Sequence, residues 1–391
     1  MKQTPISVGF IPLVDSAPLV VAHEMGFAAE EGIALDLKRA PSWSSIRDML
    51  CFGQVDAAHM LAPLPIAAAL GLGGGATPLS AVSVLSVNGT VVGVSQALEA
   101  RLRDSGHDFA FHDAHAAGAA LRTVMPEGLR VGVPFPFSMQ RILVDYWLQS
   151  IGLDTTQAVT VRTVPPPLMV DAMRAGEIDA FCVGEPWGSM AVEQGVGALL
   201  LPGAAIWAFA PEKVLAVRTD WAQTEGHLLG RLIRAVWRAG RWLSDPASRM
   251  LAAELLSRPP YLDLSPEVIE RALAGQLTIS ARGDMRTVPS FIDFHSGAAS
   301  FPWRSQAEWI GARLARRHGL DDTTARTTAR TVFRSDLYRE AMSATAAALP
   351  SASSKIEGGC PHPTAVASDR GTLILPPDPF FDGSIFEPTA G

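Results

Sequence analysis

Apolar and polar positions alternate along the first 200 residues in a way that predicts strands and helices in turn. Short apolar runs typical of buried strands are separated by segments with helical periodicity. Strands are predicted at 6–12, 33–38, 55–60, 79–94, 130–133, 159–164 and 178–183, and helices at 17–26, 42–52, 66–72, 138–151 and 167–175. This alternation predicts βαβ units, a mostly parallel sheet and an α/β fold class.

The pattern becomes mostly helical after residue 200. A strand pair is predicted around Ile206 and at 214–217, followed by helices at 227–243, 247–256, 266–274 and 306–318. The chain beyond 349 is rich in Pro, Gly, Ser and Ala, which predicts a segment that wraps the surface or is partly disordered. We expect lobe one to comprise 1–92 and 200–348, lobe two 93–199, and a C-terminal surface extension 349–391.

One short phrase occurs twice. Gly53-Gln54-Val55-Asp56-Ala57 is repeated as Gly176-Glu177-Ile178-Asp179-Ala180. Each copy follows an amphipathic segment and leads through an apolar stretch into a loop that contains proline. A helix, a glycine turn, a strand and a new helix start therefore occur in both halves. The repeat predicts two similar lobes that face each other across a cleft.

Composition excludes several classes of function. The formal net charge of the 391 residues is −7, which argues against a nucleic-acid-binding surface. The three cysteines have no metal-ligand spacing, so neither a metal nor a cofactor is expected. No apolar run is long enough for a membrane span, and the first residues lead straight into a strand without a secretory signal. We expect a cytoplasmic protein without a membrane segment.

Three predicted helices begin just after a strand or turn, at 41–45, 134–140 and 184–188. Helix N-termini present unpaired N–H groups and the positive end of the helix dipole, so together they favour a small anion. The alternative is that they are ordinary caps with aromatic packing. Glu185 is an objection, since a carboxylate repels an anion unless it points away or caps its own helix.

Several phrases resemble the nitrate- and bicarbonate-binding proteins of ABC importers. They lie at 16–19, 26–33, 56–65, 146–148, 184–187 and 301–304. The resemblance covers about 5–345, and its most specific parts are the run from His59 to Pro65 and Phe301-Pro302-Trp303-Arg304. It implies a type II periplasmic-binding-protein fold, in which two lobes close around a cleft on an oxyanion.

The resemblance also implies five ligand-binding positions. Trp43 corresponds to an aromatic wall, Asn88 to a side-chain amide on the crossing strand, and Gln140 to a polar donor at the start of a lobe-two helix. Gly184 would offer a backbone N–H, and Lys213 a cationic anchor. These groups suit a planar, singly charged anion, whose burial without a cation is very costly. For Lys213 alone, the alternative is an exposed surface lysine.

The resemblance leaves a choice between bicarbonate on one side and nitrate or nitrite on the other. Bicarbonate binders of this family recruit calcium beside the ligand, and the sequence offers no matching carboxylate cluster. Lys213 would supply the charge directly. Nitrate or nitrite is therefore the predicted ligand.

The missing export signal and lipoprotein cysteine depart from the importer pattern. Cytoplasmic members of this branch resemble the nitrate/nitrite sensor of the NasS type. Such a sensor sequesters an RNA-binding antiterminator of the NasT type, which carries an ANTAR domain, until the anion arrives. We therefore expect a cytoplasmic sensor that does not itself bind nucleic acid. The alternative is the nitrate-binding subunit of an ABC importer whose leader is missing.

The alternative hypothesis is an enzyme, because pyrimidine-synthesis enzymes of thiamine biosynthesis share the fold that the resemblance implies. They resemble the chain only through its generic early phrases, and no Cys/His cluster for their chemistry is found. A lone His59 in a buried strand is more often a satisfied core residue than a general base. The arginines at 313, 316, 317, 326, 330 and 334 could touch a partner, but their helical spacing favours a solvated face.

Overall fold

The computed structural model describes residues 3–75, 77–125, 128–153 and 158–389. Its strands are β1 Thr4–Phe10, β2 Ile33–Arg39, β3 Ala57–Leu61, β4 Leu79–Asn88, β5 Thr90–Ser95, β6 Leu129–Val133, β7 Val159–Thr163, β8 Ala180–Gly184, β9 Gly197–Pro202, β10 Pro211–Arg218, β11 Gln276–Thr278, β12 Met285–Thr287, β13 Ile292–Asp293, β14 Thr364–Ser368 and β15 Gly371–Leu375. Most of the strands predicted from apolar runs are confirmed, with ends that shift by a few residues.

The α-helices surround these strands. They are α1 Ala17–Glu24, α2 Phe27–Glu30, α3 Trp43–Cys51, α4 Pro63–Ala69, α5 Gln96–Asp104, α6 Ala114–Val124, α7 Met139–Ser150, α8 Met169–Arg174, α9 Trp187–Glu193, α10 Thr219–Thr224, α11 Gly226–Leu243, α12 Arg249–Leu256, α13 Pro266–Ala274, α14 Arg304–His318, α15 Asp322–Val332 and α16 Ser335–Met342. Serine side chains cap the starts of α3 and α7, where Ser42 accepts from the N–H of Ser45 and Ser138 from the N–H of Arg141. Within the described residues, no helix is both long and apolar enough to cross a bilayer.

Two main sheets form the cores of the two lobes. The six-stranded sheet has the order β13-β4-β10-β3-β1-β2, and the five-stranded sheet β7-β6-β8-β5-β9. Each contains three parallel strands, β2-β1-β3 or β7-β6-β8, and an antiparallel strand beside the third. The expectation of a mostly parallel sheet is wrong, because the return strands β10 and β5 pair in the antiparallel sense.

The repeated phrase has the same structural task in both lobes. Asp56 accepts hydrogen bonds from the N–H and hydroxyl of Ser7 at 2.8 and 2.7 Å. Asp179 accepts from the N–H and guanidinium of Arg130 at 3.0 and 2.7 Å. In both cases the partners are 49 positions apart, and the aspartate N–H donates back to the partner's carbonyl oxygen. The repeat fixes the chain entering the third strand against the first strand.

The chain passes between the lobes at Asn88 and Gly89. The single strand predicted at 79–94 is wrong, because β4 ends at Asn88 and β5 begins at Thr90 in the other sheet. Asn88 has φ 59° and Gly89 φ 87°, which turns the chain. A Cβ atom at Gly89 would lie 2.9 Å from Ile292 Cδ1, so glycine is required there for space as well as conformation.

Two later predictions also have outcomes here. The strand expected around Ile206 is wrong, since Gly203–Ala205 forms a 3₁₀ turn instead. The segment after 349 packs on the rest of the chain and includes the hairpin β14–β15. Its buried Phe380 stacks on Trp207 and Trp309, with ring centroids 4.8 and 5.4 Å apart. Aromatic packing therefore attaches this segment to the body of the protein.

Candidate functional site in the cleft

The candidate site lies where the strand ends of the two lobes meet. In the six-stranded lobe, Lys213 near the start of β10 is paired with Leu61 at the end of β3. The β10–β4 register shifts on both sides of Lys213. Side chains normally alternate between the faces of a strand, and such an irregularity can bring neighbouring side chains together. Glu212 and Lys213 accordingly contact each other although they are adjacent in sequence.

Lys213 is fully buried between two carboxylates. Its Nζ atom lies 2.7 Å from Asp15 Oδ2 and 2.6 Å from Glu212 Oε1. Burial opposes its charge, but the two carboxylates outweigh burial and raise the pKa of Lys213. The alternative of an exposed surface lysine is wrong. The single cation of this site is already compensated by protein groups.

Asp15 connects this ion pair to His59. Asp15 Oδ1 lies 2.9 Å from His59 Nε2, while His59 Nδ1 is 3.5 Å from the N–H of Ile11. Burial opposes ionisation of Asp15, but Lys213 and His59 hold its pKa below the usual value. Burial lowers the pKa of His59, so its ring is neutral. His59 is thus a buried, contacted core residue, as the sequence favoured, and its partner is an acid that the sequence analysis missed.

Two buried carboxylates that the sequence interpretation did not include, Asp15 and Glu212, flank Lys213. The signal was present for Asp15, since a lone acid within the apolar run from Ile11 to Leu19 must be paired if it is buried. Across the described residues, no group of three or more His, Cys, Asp and Glu side chains is arranged to hold a metal ion.

The pKa of Glu212 is shifted in the opposite direction from that of Asp15. Burial raises its pKa, although Lys213 and Gln140 oppose that shift. Its Oε1 atom accepts from Gln140 Nε2 at 2.5 Å, and its Oε2 atom is buried without a hydrogen-bond partner among the described residues. Of the two acids on Lys213, Glu212 is therefore the one that takes up a proton more readily.

Lobe two reaches this cluster through Gln140 and Gly184. Gln140 is the second residue of α7, and its contact with Glu212 crosses the cleft. A Cβ atom at Gly184 would lie 3.2 Å from Leu13 Cδ2 and 3.4 Å from Asp15 Oδ2. Glycine thus lets the end of β8 approach the cluster. The structure thus brings both of these predicted positions to the cluster, and their role in ligand binding stays a prediction.

Trp43 forms one side of the cluster from the start of α3. Lys213 Nζ is 5.4 Å from its ring centroid, and the His59 ring centroid is 5.7 Å away. The indole is 1% exposed, and its Nε1–H has no hydrogen-bond acceptor within the described chain. A buried donor without an acceptor is unfavourable by about 1–3 kcal/mol. Trp43 therefore supplies both an aromatic face and a donor that lacks a partner.

Asn88 is the exception among the five predicted positions. Its Nδ2 donates to the carbonyl of Ala208 at 2.7 Å, and its Oδ1 accepts from the N–H of Ala210 at 3.1 Å. In this structure both polar ends of the amide hold the loop before β10. Asn88 stays a predicted ligand from the resemblance, but its observed contacts stabilise the crossing between lobes.

Glu185 lies behind Gly184 and is also buried. Its Oε2 accepts from the N–H of Ser189 at 3.1 Å, so it caps its own helix, one of the two possibilities left open by the sequence. Burial raises the pKa of Glu185 to about 7 despite the bonds to Ser189. Its carbonyl accepts from the N–H of Val14 at 2.9 Å, and Trp187 Nε1 donates to Pro12 at 2.9 Å. These bonds tie the two lobes together beside the site.

Comparison with known proteins agrees with this architecture. The crystal structure of the periplasmic nitrate-binding protein NrtA from Synechocystis matches with a TM-score of 0.84 at 27% identity, covering 99% of this chain and 96% of that chain. The two-lobed arrangement is thus a type II periplasmic-binding-protein fold, as predicted. The sequence model of the NMT1-like family matches residues 1–257. The chain belongs to the NMT1-like family.

Two curated relatives extend the match along the chain. The nitrate/nitrite binding protein NrtA of Synechococcus elongatus is 30% identical over 399 residues, 98% of this chain and 83% of that protein. The nitrate import ATP-binding protein NrtC of Synechocystis sp. is 33% identical over 319 residues, 81% of this chain and 46% of that protein. The chain therefore spans about half the length of NrtC.

Proposed function

We propose that this protein binds nitrate or nitrite in the cleft at Lys213, and binds it without catalysing a reaction. The observation that carries the proposal is the buried Lys213 beside Trp43, whose indole N–H has no acceptor among the described residues. A small oxyanion at the edge of the indole ring would accept from that N–H. The similarity to two proteins named for nitrate or nitrite binding, the NrtA proteins of Synechococcus elongatus and Synechocystis, supports this class of ligand.

The carboxylates on Lys213 determine how an anion can be accommodated. With Asp15 and Glu212 ionised, the three groups carry one net negative charge, which opposes a further anion. If Glu212 takes up a proton as the anion enters, the net charge does not change. Glu212 is suited to this step because burial already raises its pKa. We therefore expect anion binding to be coupled to proton uptake.

Contacts between the lobes could couple anion binding to the relative arrangement of the two lobes. Gln140 bonds to Glu212, and Trp187 bonds to Pro12 across the cleft. An anion held by groups from both lobes would favour the closed arrangement. It can do so only by as much as its affinity differs between the open and closed forms.

Two roles follow from anion binding, and the relatives favour the first. NrtA and NrtC are named for nitrate binding and nitrate import, which supports the binding component of an ABC importer. The second role is the predicted cytoplasmic sensor that sequesters an antiterminator of the NasT type with an ANTAR domain. It stays a prediction from the resemblance.

Isothermal titration calorimetry tests the ligand. Nitrate and nitrite should bind, whereas sulfate should bind poorly because its second charge has no further cation in the cluster. Bicarbonate is titrated with and without calcium, because carboxylates flank Lys213. Absence of binding with both nitrate and nitrite would refute the ligand proposal.

A separate experiment distinguishes the two roles. The protein is used as bait in extracts of its native cell, with and without nitrate. Recovery of an RNA-binding partner that nitrate releases supports the sensor. Recovery of transporter subunits, or retention of the protein by membranes that contain them, supports the importer component.

A further inference from the structure

A second, strongly basic groove lies between the lobes, away from the cleft site. It runs between α7 of the five-stranded lobe and α14, which packs on the six-stranded lobe, and has a volume of about 750 Å³. Four arginines and one carboxylate are its charged lining groups, namely Arg141, Arg313, Arg316, Arg317 and Asp145. Counted over its described lining residues, the groove therefore carries three net positive charges, in a protein whose overall charge is −7.

These arginines differ in how far they are already paired. Arg141 Nε donates to Asp145 Oδ2 at 2.7 Å, and Arg317 contacts the same oxygen. Arg141 is 7% exposed, and its Nη1 has no hydrogen-bond partner in the described part of the chain. Burial lowers the pKa of Arg141, which indicates that its charge is not fully compensated. A buried guanidinium N–H without an acceptor favours an anionic ligand.

Arg313 and Arg316 have no carboxylate partner among the described residues. The Arg313 guanidinium lies 4.4 Å from the ring centroid of Tyr146, which holds its planar group in place at the groove. Asp382, the other acid nearby, accepts from the hydroxyl of Tyr146 at 2.6 Å. Arg316 is exposed at the rim.

The remaining arginines of the basic stretch show that this groove is a distinct feature. Arg326 and Arg330 both lie 3.5 Å from the carboxylate of the buried Glu308, and Arg334 pairs with Asp336 at 2.6 Å. Arg326 and Arg330 pair with a buried acid, so the hypothesis that the whole stretch is a solvated face is wrong for them, whereas Arg334 pairs with a partly exposed acid at the surface. Within this stretch, the arginines without a carboxylate partner among the described residues, Arg313 and Arg316, both line the groove.

We propose that this groove is a phosphate site, which takes inorganic phosphate or the phosphoryl group of a small molecule. Arginine forks match phosphate oxygens in geometry and charge, and two negative charges suit three positive ones. Asp145 Oδ1 is buried without a hydrogen-bond donor among the described residues. Monohydrogen phosphate, or the singly protonated form of a phosphate monoester, has an O–H group that can donate to it, whereas sulfate at neutral pH has none. The carboxylate therefore selects protonated phosphate over sulfate.

Because the groove lies between the two lobes, phosphate bound there would affect nitrate binding in the cleft. Arg141 belongs to α7, the same helix that carries Gln140 into the nitrate site, whereas Arg316 belongs to α14. A phosphate held by both helices would favour the arrangement of lobes seen here. By linkage, it would raise nitrate affinity and nitrate would raise phosphate affinity by the same factor.

Calorimetry with inorganic phosphate, glycerol 3-phosphate and sulfate tests the site. We expect phosphate to bind about tenfold more tightly than sulfate. The Arg316→Gln/Arg317→Gln double variant should weaken phosphate binding about tenfold, while the exposed Arg282→Gln control should bind as the original protein does. Tighter binding of glycerol 3-phosphate would identify a phosphorylated metabolite as the source, and tighter binding of inorganic phosphate the free ion.

Asp145→Asn gives a readout that a merely structural role would not produce. Its amide can donate to sulfate, so the preference for phosphate over sulfate should disappear while the arginines remain. No phosphate binding, or binding that Lys213→Ala removes and the arginine variants retain, would overturn the proposal. The second result would place phosphate in the cleft. Neither outcome bears on nitrate binding, which is measured separately.

Discussion

The two lobes share a frame but differ in the chemistry at their strand ends. In both, an aspartate of the repeated phrase is bonded to the first parallel strand, through Ser7 or Arg130. The six-stranded lobe contributes the buried group of Asp15 after β1, His59 in β3 and Lys213 near the start of β10. The five-stranded lobe contributes an uncharged Gly184 followed by Glu185.

This difference assigns separate tasks to the lobes. The first lobe holds the charge, fixed by contacts among its own residues. The second lobe supplies neutral groups that approach that charge, such as Gln140 at 2.5 Å from Glu212. A duplicated frame can therefore build an asymmetric site, because ligand chemistry resides in the loops and strand ends rather than in the repeat.

The largest expected effect is from removing the cation of the first lobe. Lys213→Met leaves Asp15 and Glu212 buried without their partner and should reduce the free energy of unfolding by about 3–5 kcal/mol. It should also abolish nitrate binding. Denaturant unfolding and calorimetry measure the two effects, with the exposed Lys38→Met as the matched control. Nitrate affinity equal to that of the original protein would remove Lys213 from the site.

In the second lobe, the buried Glu185 should make the free energy of unfolding depend on pH. Glu185 has a pKa of about 7 in the fold and about 4.5 when unfolded, so the folded state binds more protons between these values. The contribution of Glu185 to the free energy of unfolding should therefore be fully present below pH 4.5. It should be lost as pH rises through about 7, which lowers the free energy of unfolding by about 3 kcal/mol. Glu185→Gln should lose this part of the pH dependence. Parallel curves for the variant and the original protein would contradict the assignment.

The shared frame is tested by matched changes in both copies of the repeat. Asp56→Asn and Asp179→Asn each weaken the bonds to the first strand and should reduce the free energy of unfolding by about 1–3 kcal/mol. Glu177→Gln makes the second copy more like the first and, being exposed, should change stability by less than about 0.5 kcal/mol. If only one aspartate matters, the two copies do not have the same task.

The smallest expected effect is proton uptake with the anion. Nitrate affinity should fall as pH rises through the pKa of Glu212, by at most about tenfold per pH unit for one proton. Calorimetry in two buffers with different ionisation heats counts the proton. Glu212→Gln should remove both the proton and the pH dependence, whereas Glu177→Gln should retain them. An unchanged proton count in Glu212→Gln would assign the uptake to another group.

Local patterns predicted much of the frame. Helix α13 was predicted at its observed bounds of Pro266–Ala274, because a serine cap, a proline and a terminal glycine mark it. The strand predicted at 79–94 failed, since periodicity cannot show that one apolar run crosses between two sheets. The strand expected at Ile206 failed because apolar residues there pack on aromatic side chains without forming a ladder.

The candidate site was predictable in part. The structure brings Trp43, Gln140, Gly184 and Lys213 around one cluster, and their role as ligand-binding groups stays a prediction from the resemblance. Asp15 was missed as the partner of Lys213, because nothing local shows which buried acid 198 positions away along the chain will lie against it. Glu212 was missed because adjacent side chains of a regular strand point to opposite faces, and the register irregularity at Lys213 is not visible in the sequence. The basic stretch at 313–334 was also divided only by the fold, into arginines paired with buried acids and arginines that line the groove.

The sequence by itself determined the α/β class, the repeated frame and the residue types available for an anion. Hydrophobic periodicity and glycine turns are local features, so they can be recognised from the sequence without the tertiary structure. The tertiary structure decided which charges meet. It placed one lysine between two acids and left a separate arginine groove partly unpaired, because burial and charge pairing depend on distances that only the folded chain creates.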